Sequence, residues 1–233
     1  MNHKILIIPG NPPARFFYEA WKKELELITH YDIVIDYYPV FENNACSQQY
    51  INDLEAFYAK NIVKDTPGDV ILIGHSFGGH IALKILEKYH EKIKRCVLLF
   101  PFLHSPGFRG RCILKILHGI HQRPLLKSGL TRLLKPASYF YNNINRLSTH
   151  ELESSLNLAF HEHKTIAQKK NIFISPELHP KITLYYTHND TWCTKKVVTS
   201  LHPEIHTKLI DVQHDFVISS KQRKIINKHL FTN

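Results

Sequence analysis

The sequence predicts an α/β fold: a mainly parallel sheet of about six strands, with a helical stretch inserted late in the sheet. Three observations carry this. Short apolar, β-branched runs alternate with amphipathic helical stretches, as strands covered on both faces alternate with crossover helices. One of these units, residues 69 to 87, reads strand, sharp turn, helix, with Gly74-His75-Ser76-Phe77-Gly78 at the turn. After Pro101 the alternation stops, and it resumes only near residue 181.

Taken in order, His3-Lys4-Ile5-Leu6-Ile7-Ile8 is a first buried strand, closed by Pro9-Gly10-Asn11-Pro12-Pro13. A helix follows over residues 15–28, with Phe16, Phe17, Ala20, Trp21, Leu25 and Ile28 on its apolar side. Residues 31–36 form the second strand. Ser47 is placed to cap a helix running to about Val63, with Tyr50, Ile51, Leu54, Phe57 and Tyr58 inward. The third strand is Asp69–Ile73, and its helix ends near His90 with Ile81, Ala82, Ile85, Leu86 and Tyr89 on one stripe. Residues 94–100 are the fourth strand. Residues 102–178 show short helical runs punctuated by Pro106, Pro124 and Pro136, then a longer run over 149–169, as an inserted helical cap would. Strands at 181–186 and 206–210 enclose a helix near 194–201, and a closing helix spans about 216–230. The expected organisation is a core in two parts, 1–101 and 179–233, with the cap at 102–178 between them.

The turn at Ser76 has the form of a nucleophile elbow. A serine held in a strained turn between strand and helix projects its hydroxyl from the sheet edge, and side chains at Gly74 or Gly78 would collide as the chain reverses. Neither the Gly-Lys-Ser/Thr of a phosphate loop nor a Gly-x-Gly-x-x-Gly accompanies it. A serine hydroxyl becomes a useful nucleophile only when a base takes its proton and an acid orients that base. In the α/β-hydrolase arrangement these follow in the order Ser, Asp/Glu, His, beyond the carboxyl ends of the strands. Two loops qualify: Thr187-His188-Asn189-Asp190-Thr191-Trp192 and Asp211-Val212-Gln213-His214-Asp215-Phe216. Asp190 is the expected acid and His214 the expected base. Their rivals are His188, which precedes the acid on its loop, and Asp211 and Asp215, which flank the base too closely to orient it. Two donors must meet the oxyanion of a tetrahedral intermediate. The backbone N–H of Phe77 is one candidate. The other is that of Asn11, held extended before a proline in a loop where Pro12 and Pro13 have no N–H.

At these residues the chain resembles a known family. Ile7-Ile8-Pro9-Gly10-Asn11-Pro12, Gly74-His75-Ser76-Phe77-Gly78, Leu98-Leu99-Phe100-Pro101, Asn189-Asp190-Thr191-Trp192-Cys193 and Gln213-His214-Asp215-Phe216 are similar to segments of the lipid-droplet-associated hydrolases, a branch of the α/β-hydrolases. The resemblance runs from about residue 4 to the last helix and is weakest through the cap. It implies an ester-lipid hydrolase acting at lipid surfaces, with Ser76, Asp190 and His214 as nucleophile, acid and base. Pro13 stands where the family usually has glycine, and Thr191 where it usually has proline.

Composition narrows the function classes. At 233 residues with 43% hydrophobic content the chain has ample material for a packed core. No uncharged run reaches the ~18 residues of a membrane span, and the first apolar stretch is too short for a signal peptide. A cytoplasmic protein, peripheral at most on membranes or lipid droplets, is the expectation. The four cysteines, Cys46, Cys96, Cys112 and Cys193, form no Cys-x-x-Cys pair and suit a reducing compartment. His161-Glu162-His163 lacks the His-Glu-x-x-His spacing of a zinc helix, so neither a metal nor an organic cofactor is expected.

The net charge of +10 is confined to one stretch. From Lys92 to His150 there are eleven Lys and Arg and no Asp or Glu, which leaves −1 for the rest of the chain. Within it, 111–118 and 125–135 interleave Leu/Ile with Lys/Arg, as a helix lying on an anionic membrane or droplet does. A solvated lid over the site is the plainer reading. Nucleic acid is not expected, because no binding motif or aromatic interleaving accompanies the charge. The residues thus predict a serine hydrolase for acyl esters with a mainly apolar acyl pocket. Thioesterase or acyltransferase chemistry on the same three residues stays open, as does a non-catalytic lipid-surface binding protein on this scaffold.

Overall fold

A computed structural model describes residues 3–13, 15–37, 48–62, 70–121, 147–167 and 174–231. Ser47, Cys46 and the basic run 125–135 lie outside the described residues, as do parts of the expected cap, 122–146 and 168–173.

Six parallel strands form one sheet in the order β2-β1-β3-β4-β5-β6. They are β1 (Lys4–Ile8), β2 (Asp32–Ile35), β3 (Val70–His75), β4 (Ile93–Leu99), β5 (Ile182–Tyr186) and β6 (His206–Leu209). The interior strands are the near-continuous apolar runs that burial on both faces requires: Ile5 to Ile8 and Cys96 to Leu99 are at most 1% exposed. The edge strand β6 has no fully buried residue, consistent with its mixed His-Thr-Lys-Leu sequence.

The helices are α1 (Arg15–Ile28), α2 (Gln48–Ala59), α3 (Phe77–Tyr89), α4 (Phe108–His121), α5 (Thr149–Ala167), α6 (Lys195–Ser200) and α7 (Ser220–Phe231). Of the expected cap, the described part contains the helices α4 and α5, an irregular lead-in at 102–107 and the start of a 3₁₀ turn, Pro176–Lys181. Helix α3 is buried through its first two turns, from Phe77 to Leu83, because it crosses the middle of the sheet behind β3 and β4.

Two expectations are corrected. The buried face of α1 is Phe17, Tyr18, Trp21 and Leu25, whereas Ala20 and Ile28 are exposed. The face turns this way because Tyr18, Trp21 and Leu25 stand at i, i+3 and i+7. Both polar tips on it also find partners, the Trp21 indole N–H donating to Asn227 Oδ1 at 2.7 Å. The closing helix is broken. Phe216–Ile218 is a separate 3₁₀ turn, Ser219 is extended, and the helix proper begins at Ser220. The break lets Phe216 and Val217 turn into the core. The loop ahead of them then stays at the C-terminal edge of the sheet.

Candidate active site

Ser76 follows β3 and precedes the first turn of α3 with φ 53° and ψ −122°, a conformation that costs a non-glycine residue of order 1–3 kcal/mol. The surroundings hold it there. Its N–H donates to Leu99 O at 3.0 Å, and its carbonyl accepts from Gly79 and Phe102 N–H, both at 3.0 Å. The glycines give the reversal room. A Cβ on Gly74 would stand 2.6 Å from Gly78 O, and one on Gly78 would strike Ile8 O. Gly10 is needed for a different reason, because a Cβ there would lie 2.7 Å from Ser76 Cβ. The strain leaves the Ser76 side chain pointing out at the C-terminal edge of the sheet.

Three loops converge on it. Ser76 Oγ lies 3.0 Å from His214 Nε2, and His214 Nδ1 lies 2.8 Å from Asp190 Oδ2. With Nδ1–H donating to the carboxylate, Nε2 is left to accept the serine proton. The second carboxylate oxygen of Asp190 accepts from Trp192 and Cys193 N–H at 2.7 and 2.9 Å. The Asp190 side chain has no solvent exposure, and burial works against its charge. The His214 hydrogen bond, the charge on His214 and the two loop N–H groups outweigh burial and hold the carboxyl below its ordinary range. Asp190 is therefore an anion with both oxygens occupied, and it fixes which His214 nitrogen faces the serine. His188 is exposed, as are Asp211 and Asp215 on either side of His214.

Of the expected oxyanion donors, Phe77 is the first residue of α3, next to Ser76. Asn11 follows Gly10 in the loop after β1, and the Asn11–Pro12 peptide is cis. The N–H of Gly10 is already committed to the Tyr18 hydroxyl at 2.7 Å. Asn11 carries its side chain away from the serine. Its Nδ2 donates to Ser155 O at 2.9 Å and approaches Glu162 Oε2 at 3.4 Å, both on α5.

A cavity of about 790 Å³ opens beside these groups, lined by Asn11, Arg109, Asn189 and His214 as well as Phe17 and Trp192. Its described lining mixes polar and apolar groups. Cys193 is fully buried in the core beside Asp190, and burial and Asp190 raise its thiol well above the ordinary range. Among the described residues, the one group of donors close enough to share a metal ion is His179, His202 and Glu204. It sits before β5 and β6, at the sheet end opposite Ser76. Glu162 is not directed at a metal but buried against Asn11.

Sequence reasoning missed two residues at the site. The Tyr18 hydroxyl and the His75 imidazole lie 2.7 Å apart, and His75 Nε2 reaches the backbone carbonyl of His214 at 2.8 Å. The i, i+3, i+7 spacing of Tyr18 with Trp21 and Leu25 is the signal that could have turned Tyr18 inward.

The sheet order, the crossover helices and the strained serine at the end of β3 define an α/β-hydrolase fold. A solved hydrolase from Oleispira antarctica superposes on it with a TM-score of 0.62 at 17% identity, covering 100% of this chain and 92% of the other. Within that class, residues 1–108 match the family described as lipid-droplet associated hydrolase. A lipid droplet-associated hydrolase of Dictyostelium discoideum is 33% identical over 115 residues, covering 43% of this chain but only 38% of that protein. The lipid droplet-associated hydrolase of Rattus norvegicus is 25% identical across 94% of this chain and 81% of its own length. The chain is thus similar to the lipid-droplet-associated hydrolases, the family its motifs resemble. Among the described residues no helix is long and apolar enough to cross a membrane.

Proposed function

We propose that the protein is a serine hydrolase that cleaves carboxylic esters of lipid type through an acyl-enzyme. One observation supports this most: Ser76, His214 and Asp190 stand in hydrogen-bonded line at 3.0 and 2.8 Å, with the serine in the strained elbow conformation. In this reading Ser76 Oγ attacks the ester carbonyl carbon while its proton passes to His214 Nε2, and Asp190 stabilises the imidazolium that forms. The carbonyl oxygen takes the negative charge and is held by the N–H groups of Phe77 and Asn11. As the C–O bond to the alcohol breaks, His214 returns the proton to the leaving oxygen. Water then repeats the sequence on the acyl-enzyme and frees the acid.

The relatives' names favour a lipid ester over a small soluble one, and the charge distribution favours work at a surface. Helix α4 presents Phe108, 74% exposed, and Ile113, 44% exposed, beside exposed Arg109, Arg111 and Lys115. Apolar side chains flanked by cations suit an anionic lipid surface. Binding to anionic vesicles that weakens as salt rises, with little binding to neutral ones, is the expected result. Equal indifference to both removes the surface from the proposal.

The decisive experiment is labelling with a fluorophosphonate. The wild type should label and Ser76→Ala should not. Label retained in Ser76→Ala would refute the nucleophile, and no label in either would favour a binding protein on this scaffold. An ester and thioester panel of graded acyl length then separates esterase from thioesterase activity.

A further inference from the structure

Four residues from separate parts of the chain form one buried hydrogen-bonded line behind the site. The direction of every bond in it follows from the chemistry. The carbonyl of His214 can only accept, so His75 Nε2 carries the proton and donates to it at 2.8 Å. His75 Nδ1 therefore offers a lone pair to the Tyr18 hydroxyl, which donates to it at 2.7 Å. The same hydroxyl oxygen accepts the Gly10 N–H, also at 2.7 Å. Gly10 donates to Tyr18, Tyr18 to His75, and His75 to His214.

The reverse assignment fails. If Nδ1 of His75 were also protonated, the Tyr18 oxygen would receive two donors and its own proton would have no acceptor among the described residues. Burial supports the neutral state of both rings. It lowers His75 to about 3, helped by the nearby His214, and raises Tyr18 above the ordinary phenol range. A neutral His75 matters because its ring centroid is 5.2 Å from that of His214, where a second cation would oppose the imidazolium formed during catalysis.

We propose that Tyr18 and His75 are positioning residues that lock the loop carrying Asn11 and the backbone of the base into one frame with the nucleophile. This rests on the serine-hydrolase reading above. His75 is joined covalently to Ser76, so its bond to the His214 carbonyl ties base to nucleophile by a route independent of the bond between their side chains. That side-chain bond must break and re-form in every turnover, while the backbone bond persists. At the other end, Tyr18 holds the N–H of Gly10, the residue immediately before Asn11. The line therefore sets both the base and the oxyanion loop against the same serine.

The test uses Tyr18→Phe, His75→Leu, the double variant, and His75→Gln, whose amide can still donate to the His214 carbonyl. Tyr185→Phe is the control, since it deletes a tyrosine hydroxyl bonded to a backbone carbonyl, that of His229, away from the site. Rates are taken per active site titrated with a fluorophosphonate, so unfolded protein does not count. Tyr18→Phe and His75→Leu should each lower kcat and the labelling rate by about 10- to 100-fold, the usual effect of losing a partner that orients a reacting group. KM should change less than kcat, because Tyr18 and His75 reach the cavity lining but are almost wholly buried, with their polar atoms engaged in the line. His75→Gln should recover part of the loss, and the double variant should be no slower than His75→Leu, since both break one line. Tyr185→Phe should lower thermal stability and leave kcat unchanged. A wild type that labels, with Tyr18→Phe and His75→Leu labelling at its rate, would overturn the proposal alone. Losses equal to those of Tyr185→Phe, or additive in the double variant, would also overturn it. A wild type that never labels would overturn the hydrolase reading and this one with it.

Discussion

Glu162 should make the folded protein less stable as the pH rises from 5 to 8, and Glu162→Gln should remove that dependence. The carboxyl is 5% exposed on α5, and burial raises it from an ordinary 4.5 to about 8, against a weaker pull from the Asn11 side chain in the opposite direction. Below pH 4.5 both folded and unfolded chains hold the proton. Between 4.5 and 8 the unfolded chain releases it while the folded chain keeps it, so each added pH unit favours unfolding. At about 1.4 kcal/mol per unit, the whole span is worth about 5 kcal/mol, of which about 2.5 kcal/mol falls between pH 5 and 7. Glutamine keeps the shape and the polar contact with Asn11 but has no proton to lose. Urea unfolding of both proteins at pH 5 and 7 is the assay, read as a difference so that histidines common to both cancel. The stability of Glu162→Gln relative to wild type should improve by about 2.5 kcal/mol across that interval. A difference that does not change with pH would mean that Glu162 is ionised in the fold, and the account of its burial would fail.

Asp190→Asn should cost about 10⁴-fold in kcat with little change in KM, because an amide can donate to His214 Nδ1 and so stabilise the wrong tautomer; ester turnover per titrated site is the measurement. Gly10→Ala should depress activity far more than its effect on thermal unfolding would suggest, since the added methyl meets Ser76 Cβ at 2.7 Å and His75 O at 3.1 Å. Labelling rate against melting temperature checks this, and a variant that labels at the wild-type rate would show that the Gly10 loop yields instead.

The parts of the fold that were legible are those set by local pattern. Parallel strands buried on both faces have to be continuous apolar runs, and the runs at 5–8, 70–73 and 96–99 announce themselves. The elbow is legible because strand, turn and helix are contiguous. Asp190 and His214, the residues proposed as acid and base, are selected independently by chain order and strand-end position, and the structure brings both into hydrogen-bonded line with Ser76. On α1 the expected stripe includes Ala20, which stands off the buried face, and Ile28, which is on that face but is the last residue of the helix and is exposed there. The inward turn of Tyr18 and Trp21 rests on tertiary partners, His75 and Asn227, that local pattern does not contain. The break at Ser219 was hidden because Phe216-Val217-Ile218 continues the apolar period of the helix behind it.

What sequence pattern could not supply is a hydrogen-bonded line whose members stand at 10, 18, 75 and 214, since no period relates them and each has a plain local reading. Gly10 reads as a turn, Tyr18 as a helix aromatic, His75 as the variable position of the elbow. His214 reads as a base whose backbone carbonyl has no assigned work. Their meaning lies in the count of donors and acceptors, which closes only when all four are together and both rings are neutral. The same holds for Glu162, which in sequence sits between two histidines and invites a metal reading. In the fold it is a buried acid against the side chain of Asn11, the residue whose N–H is proposed to hold the oxyanion. The elbow and its two partners define the chemistry proposed. The positions of Asn11 and of the base depend on buried polar groups one layer behind them, and there a conservative change such as Tyr18→Phe separates geometry from mere packing.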